Sequence, residues 1–194
     1  MAMAVLLASS MPSLAQRATD ALGPIVRCVA AGKFSVLDQG RLPATATSRS
    51  VETASGDKPV SLADGYRVIL ATAQGLPFVN LKVELSATSS AASDREAVEE
   101  QMKVFSARRA PDQKELQRTS EGGVDVLALH RPDLNGGGPI SFYSLMQPAR
   151  SIIATMYVLN QAAPKRAFST YAEYEALRDE AAHLVLGCLK SAGA

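Results

Sequence analysis

The chain has 194 residues, of which 47% are hydrophobic and 20% charged, and its net charge is +1. That length supports one good core, and no shift in composition along the chain calls for a second domain. The balanced charge leaves no electrostatic footprint for nucleic acid, and no apolar run approaches the ~20 residues of a membrane-spanning helix.

Residues 1–15 read MAMAVLLASSMPSLA: a short apolar body, a proline, then Ser13-Leu14-Ala15. The ending fits the small-x-small rule for signal peptidase, which predicts an export signal over 1–15 and one α+β domain over 16–194. A positive n-region is missing, so an uncleaved first helix or a misplaced start is the alternative. Export would place the domain in the periplasm or outside the cell. The two cysteines, Cys28 and Cys188, lie near opposite ends of that domain. In an exported protein such a pair predicts one disulfide closing almost the whole chain, and in a reducing compartment two buried thiols.

Residues 16–33 read as a helix with Leu22, Ile25, Val26 and Val29 on one side. Gly23-Pro24 interrupts it, so regular helix is expected from Pro24, where proline is tolerated, to a stop at Gly32. Residues 34–46 pattern weakly and contain Gly40 and Pro43, which predicts an irregular connection. A short strand over 48–54 is expected to end in a turn at 55–59, with a second turn at 62–65. Residues 66–73 (YRVILATA) and 78–85 (FVNLKVEL) then make a hairpin across Gly75-Leu76-Pro77. In the second of these, Val79, Leu81, Val83 and Leu85 alternate with Asn80, Lys82 and Glu84, which predicts one dry and one wet face.

Ser93 and Glu96 have the spacing of a capping box, opening a helix that buries Val98, Met102 and Phe105 and stops before Pro111. Hairpin grammar then repeats. Residues 115–120 pair with 124–130 across a Glu-Gly-Gly turn, and 139–147 with 151–160 across Pro148-Ala149-Arg150. The last two strands are apolar on both faces and should be central. Thr170 and Glu173 form a second capping box, and Tyr174, Leu177, Ala181, Leu184 and Cys188 make the buried stripe of the final helix.

Together these elements predict an α+β fold: an antiparallel sheet of about six to seven strands, with N-terminal, central and C-terminal helices packed on its apolar side. The order of elements over roughly residues 48–190 resembles the Mog1/PsbP-like α+β domains. That resemblance implies an accessory or binding role and carries over no functional residues.

Few residues form a chemical constellation. Glu180 and His183 are spaced i, i+3, with Asp179 beside them. Di-iron carboxylate bundles use two such units and further glutamates, so a solvated helix face is the better reading, and no metal or cofactor is expected. His130 closes a strand next to Arg131 and Asp133, where a general base is possible, although no nucleophile motif accompanies it. Asn135-Gly136-Gly137-Gly138 leads into another strand rather than a helix, which predicts a hairpin tip and not a phosphate cradle. Tyr143, Tyr157, Phe142 and Met156 could line a ligand cavity, but alternating aromatics on strands are usually core.

The reading that follows is a non-enzymatic exported protein that binds a protein partner, with an immunity or inhibitor protein for a toxic enzyme as its specific form. Arg131, Asp133 and Asn135 at the polar tip are the candidate contacts. A carrier of a small molecule or lipid, and a hydrolase using His130, are the alternatives.

Overall fold

The computed structural model describes residues 14–42, 48–109, 115–132, 134, 138–161 and 166–192. The expected leader up to residue 13, the stop at Pro111, and Asp133, Asn135, Gly136 and Gly137 lie outside them.

The alternating run at 78–85 is the backbone of β4 (Pro77–Ser86), which pairs on one side with the long β3 (Gly56–Ala71) and on the other with β8 (Ile152–Asn160). Outward from β8 come β7 (Gly138–Gln147), β6 (Val124–His130) and β5 (Gln117–Glu121), each antiparallel to its neighbour. The far edge of β3 carries two strands. β1 (Ser35–Arg41) pairs its second half and β2 (Ser48–Thr53) its first. The α+β class is as expected, with eight strands in place of six or seven. β7 and β8 are central, as their two-sided apolar character required.

The helices α1 (Leu14–Ala30), α2 (Ala91–Ala107) and α3 (Tyr171–Ser191) cover both faces of the sheet, not one. Neighbouring residues of β7 divide between the two cores: Tyr143 and Leu145 pack with α1 and α3, while Phe142 and Met146 pack with Ala97, Val98 and Met102 of α2. Because side chains alternate along a strand, the two cores lie on opposite faces. The expected wet face of β4 is therefore partly dry: Glu84 is 1% exposed.

Several boundaries move for identifiable reasons. α1 runs through Pro24 instead of starting there. The residue before a proline resists helical geometry partly through its Cβ, and Gly23 has none; Leu22, Ile25, Val26 and Val29, all buried, hold the helix down. The connection expected over 34–46 contains strand β1, whose alternation is broken by an irregularity between Val36 and Asp38 that leaves Leu37 exposed. The turns expected at 55–59 and 62–65 shrink to the link before Gly56, and β3 continues through Pro59, absorbing its second break as a shift between Leu62 and Asp64. α2 starts at Ala91, ahead of the expected box, so Ser93 sits inside the first turn, where its hydroxyl donates to the Ser90 carbonyl. At α3 the Thr170 half of the box forms, and the returning Glu173 bond lands one residue before the cap. The Thr170 hydroxyl accepts from the Glu173 amide at 3.2 Å, and the Glu173 carboxylate accepts from the Ser169 amide at 2.8 Å. The β5–β6 turn uses Gly122 and Gly123 at φ +58 and +77, the left-handed pair that a two-residue hairpin requires.

Candidate functional site

β6 ends at His130, and its pairing with β7 continues one residue further, the Arg131 amide donating to the Ile140 carbonyl at 2.9 Å. His130 stands opposite Ser141, on the face covered by α3. Its Nδ1 lies 2.7 Å from the Ser141 hydroxyl, which in turn contacts the hydroxyl of Tyr174. The thread His130–Ser141–Tyr174 thus joins two strands to α3 through polar groups inside an apolar layer. Ser141 is 1% exposed and Tyr174 fully buried.

The local sequence explains this meeting. The Thr170 cap fixes where α3 begins, so Tyr174 and Arg178, one turn apart, face the sheet together. The Arg178 guanidinium lies over the Tyr174 ring, 5.2 Å from its centre, and donates to Asp179 at 2.7 Å. Burial works against the Arg178 charge, but hydrogen bonds with Asp179 and Tyr174 outweigh it and raise its pKa. The His130 ring sits 5.2 Å from that of Tyr143. Burial, followed by the nearby Arg178, pushes the His130 pKa down to about 4, so the imidazole is neutral at pH 7. Burial likewise raises the pKa of the Tyr143 hydroxyl.

Two arginines close the end of the sheet. Arg109, just beyond α2, donates to the His130 carbonyl, and the Arg131 carbonyl accepts from the Tyr171 hydroxyl at 2.9 Å. Both side chains are half-buried. Burial lowers the Arg109 pKa, and repulsion from Arg131 adds to the effect. Bringing two like charges together in a partly dry place costs free energy that the fold recovers elsewhere.

The Ser141–His130 contact has the first element of a nucleophilic site, a hydroxyl beside a base. The rest of the arrangement works against that use. The hydroxyl is enclosed and shared with Tyr174, and among the described residues no carboxylate hydrogen-bonds His130 to orient it. The thread instead fixes α3 to the hairpin and holds Arg109 and Arg131 at its end.

Other sequence candidates separate. Cys28 and Cys188 are bonded, as expected, with Cα atoms 5.6 Å apart, joining α1 to α3. Glu180 pairs with Lys33 at the foot of α1, while His183 lines a groove between α3 and β5 with Asp179 and Tyr143. The aromatic set divides between faces: Tyr143 and Met156 on one, Phe142 stacked on Tyr157 at 4.6 Å on the other. Of the proposed tip contacts, Arg131 is in the cluster, and Asp133 and Asn135 lie outside the described residues. Sequence reasoning missed Arg109, Ser141, Tyr174 and Arg178 as partners of His130, because only the tertiary fold brings them there. No helix among the described residues is long and apolar enough to cross a membrane. The chain matches no protein-family model, no curated protein and no solved structure.

Proposed function

We propose that this is a non-enzymatic binding protein that docks an acidic surface of a protein partner against Arg109 and Arg131. The observation that carries this is the gathering of two arginines, half-buried and mutually repulsive, at the end of β6. An acidic surface complements two guanidinium groups set side by side, and their partial burial favours specific over diffuse attraction. A net charge of +1 gives no long-range field for nucleic acid, which favours a protein as the partner.

An exported inhibitor or immunity protein, and an accessory domain of the Mog1/PsbP-like kind, both suit this role. The Cys28–Cys188 bond supports an oxidising compartment. Less supports a carrier with its ligand between sheet and helices, since Leu22, Ile25, Phe78, Phe168 and Tyr174, each at 1% exposure or less, fill that layer. The enclosed Ser141 hydroxyl weighs against a hydrolase in the same way.

The test is affinity capture from a periplasmic extract with the wild type and with the Arg109→Glu/Arg131→Glu double variant. The reading expects a reproducible partner with an acidic surface, released by salt and lost with the charge reversal while the melting temperature stays within a few degrees. Recovery of the same partner by both proteins, or of none by the wild type, overturns it.

A further inference from the structure

A second site lies away from His130, at the start of α2. Ser90 occupies the N-cap position, but its side chain does not cap the helix; its hydroxyl donates to Asp94 instead, at 2.9 Å. The amides of Ala91, Ala92 and Ser93 therefore have no acceptor among the described residues. Asp94 does not supply one: it is buried toward β3, its carboxylate taking the Ser61 amide at 3.1 Å as well as Ser90.

Beside these amides is an open groove of about 240 Å³. Arg95 lines it one turn into the helix and has no ion-pair or hydrogen-bond partner among the described residues. Ser86 lines it from β4, on the α2 side of the sheet opposite Leu62. Ser86 is only 3% exposed, and its hydroxyl is a buried polar group with no hydrogen-bond partner among the described residues. An orphaned hydroxyl of this kind carries a desolvation penalty unless something completes it. The floor is apolar, made by Met146, Ile152 and Ile153, and Thr88 stands at the rim. Among the described residues no acidic side chain lines the groove, and Arg95 is its one charge.

We propose that this groove binds a short-chain carboxylic acid. The carboxylate sits on the amides of Ala91 and Ala92, with Arg95 as counter-charge and the Ser86 hydroxyl adding a donor. The alkyl chain lies over Met146 and Ile153. A helix N-terminus with one arginine compensates one negative charge, and the buried Asp94 nearby opposes a second, so a monoanion is favoured over a phosphate dianion. The apolar floor rewards a tail that an inorganic anion lacks.

The experiment is an amide-resolved NMR titration of the whole chain with hexanoate, with hexan-1-ol as the uncharged tail and inorganic phosphate as the tailless anion. Hexanoate should saturate with shifts centred on the Ala91 and Ala92 amides. Arg95→Gln should weaken it about tenfold, the loss of one charge-assisted contact. Arg95→Lys should fall between the two, and Ser86→Ala should weaken binding while keeping or raising the melting temperature. The proposal is overturned by unmoved amides at about 10 mM hexanoate, which corresponds to a contact worth less than a millimolar site. It is also overturned by equal binding of hexan-1-ol or phosphate, or by unchanged affinity in a folded Arg95→Gln protein. None of these outcomes depends on the protein partner proposed above.

Discussion

Arg49 on β2 donates to Glu84 on β4 at 3.0 Å, joining two strands that share no ladder. Glu84 is 1% exposed and the Arg49 side chain 23%. Gly65 stands beside Glu84 on the intervening strand, where a Cβ would come within 2.6 Å of Leu42 and 3.4 Å of the Glu84 side chain. The missing side chain at Gly65 therefore leaves the space that Leu42 fills, beside the Glu84 side chain.

Removing only Arg49 leaves a carboxylate buried without its counter-charge. Arg49→Leu is expected to cost about 3 kcal/mol, and Arg49→Leu/Glu84→Leu to recover most of that loss. Urea midpoints of the two singles and the double close the cycle. Additive losses in the double variant would mean that the pair does not act as a unit.

The same pair shows where the sequence was legible and where it was not. The hairpin of 66–73 with 78–85, central β7 and β8, and the Thr170 cap all follow from local signals: period-two alternation, apolarity on both faces, a box spacing. Glu84 obeys the alternation of its strand, yet its side is dry because α2 and the β2 hairpin cover it, and nothing between 78 and 85 reports that cover. β1 was hidden because an edge strand need be apolar on neither side and its register slips after Val36. In the candidate site, His130 and Arg131 were visible as a strand end, whereas Ser141 was one serine among many until β6–β7 pairing set it opposite His130. The disulfide was legible through cysteine count and position taken together with the expectation of export.

That bond spans 160 residues of sequence, from α1 to α3. On the chain-entropy account, cross-linking so long a loop stabilises the fold by about 5 kcal/mol, chiefly by restricting the unfolded chain. Cys28→Ser/Cys188→Ser should therefore melt roughly 10–20 °C lower than the oxidised protein, and reductant should lower the oxidised protein to the same point. α1 also packs against β3, β4 and α3, so near-native circular dichroism is expected below the transition. A melting temperature indifferent to reductant would refute this assignment of stability.

His130 gives the stability a specific dependence on pH. Its folded pKa is about 4 against an ordinary 6.5, with burial the main cause and Arg178 next. Asp179 works in the opposite direction and Arg109 in the same one as Arg178, while Ser141 and Tyr143 lie against the ring. Below pH 6.5 the unfolded chain takes up a proton that the folded chain refuses until about pH 4. The contribution is thus complete above pH 6.5 and is lost as pH falls toward 4. Discounted for the partial exposure of the ring, the loss between pH 7.5 and 5 is about 1.5 kcal/mol. His130→Gln keeps a polar group opposite Ser141 and cannot titrate, so its urea midpoint should vary less over that interval, leaving the remaining slope to carboxylates. Parallel pH profiles for the two proteins would show that the ring is protonated as easily in the fold as outside it, and that the enclosed His130–Ser141–Tyr174 thread does not depend on a neutral imidazole.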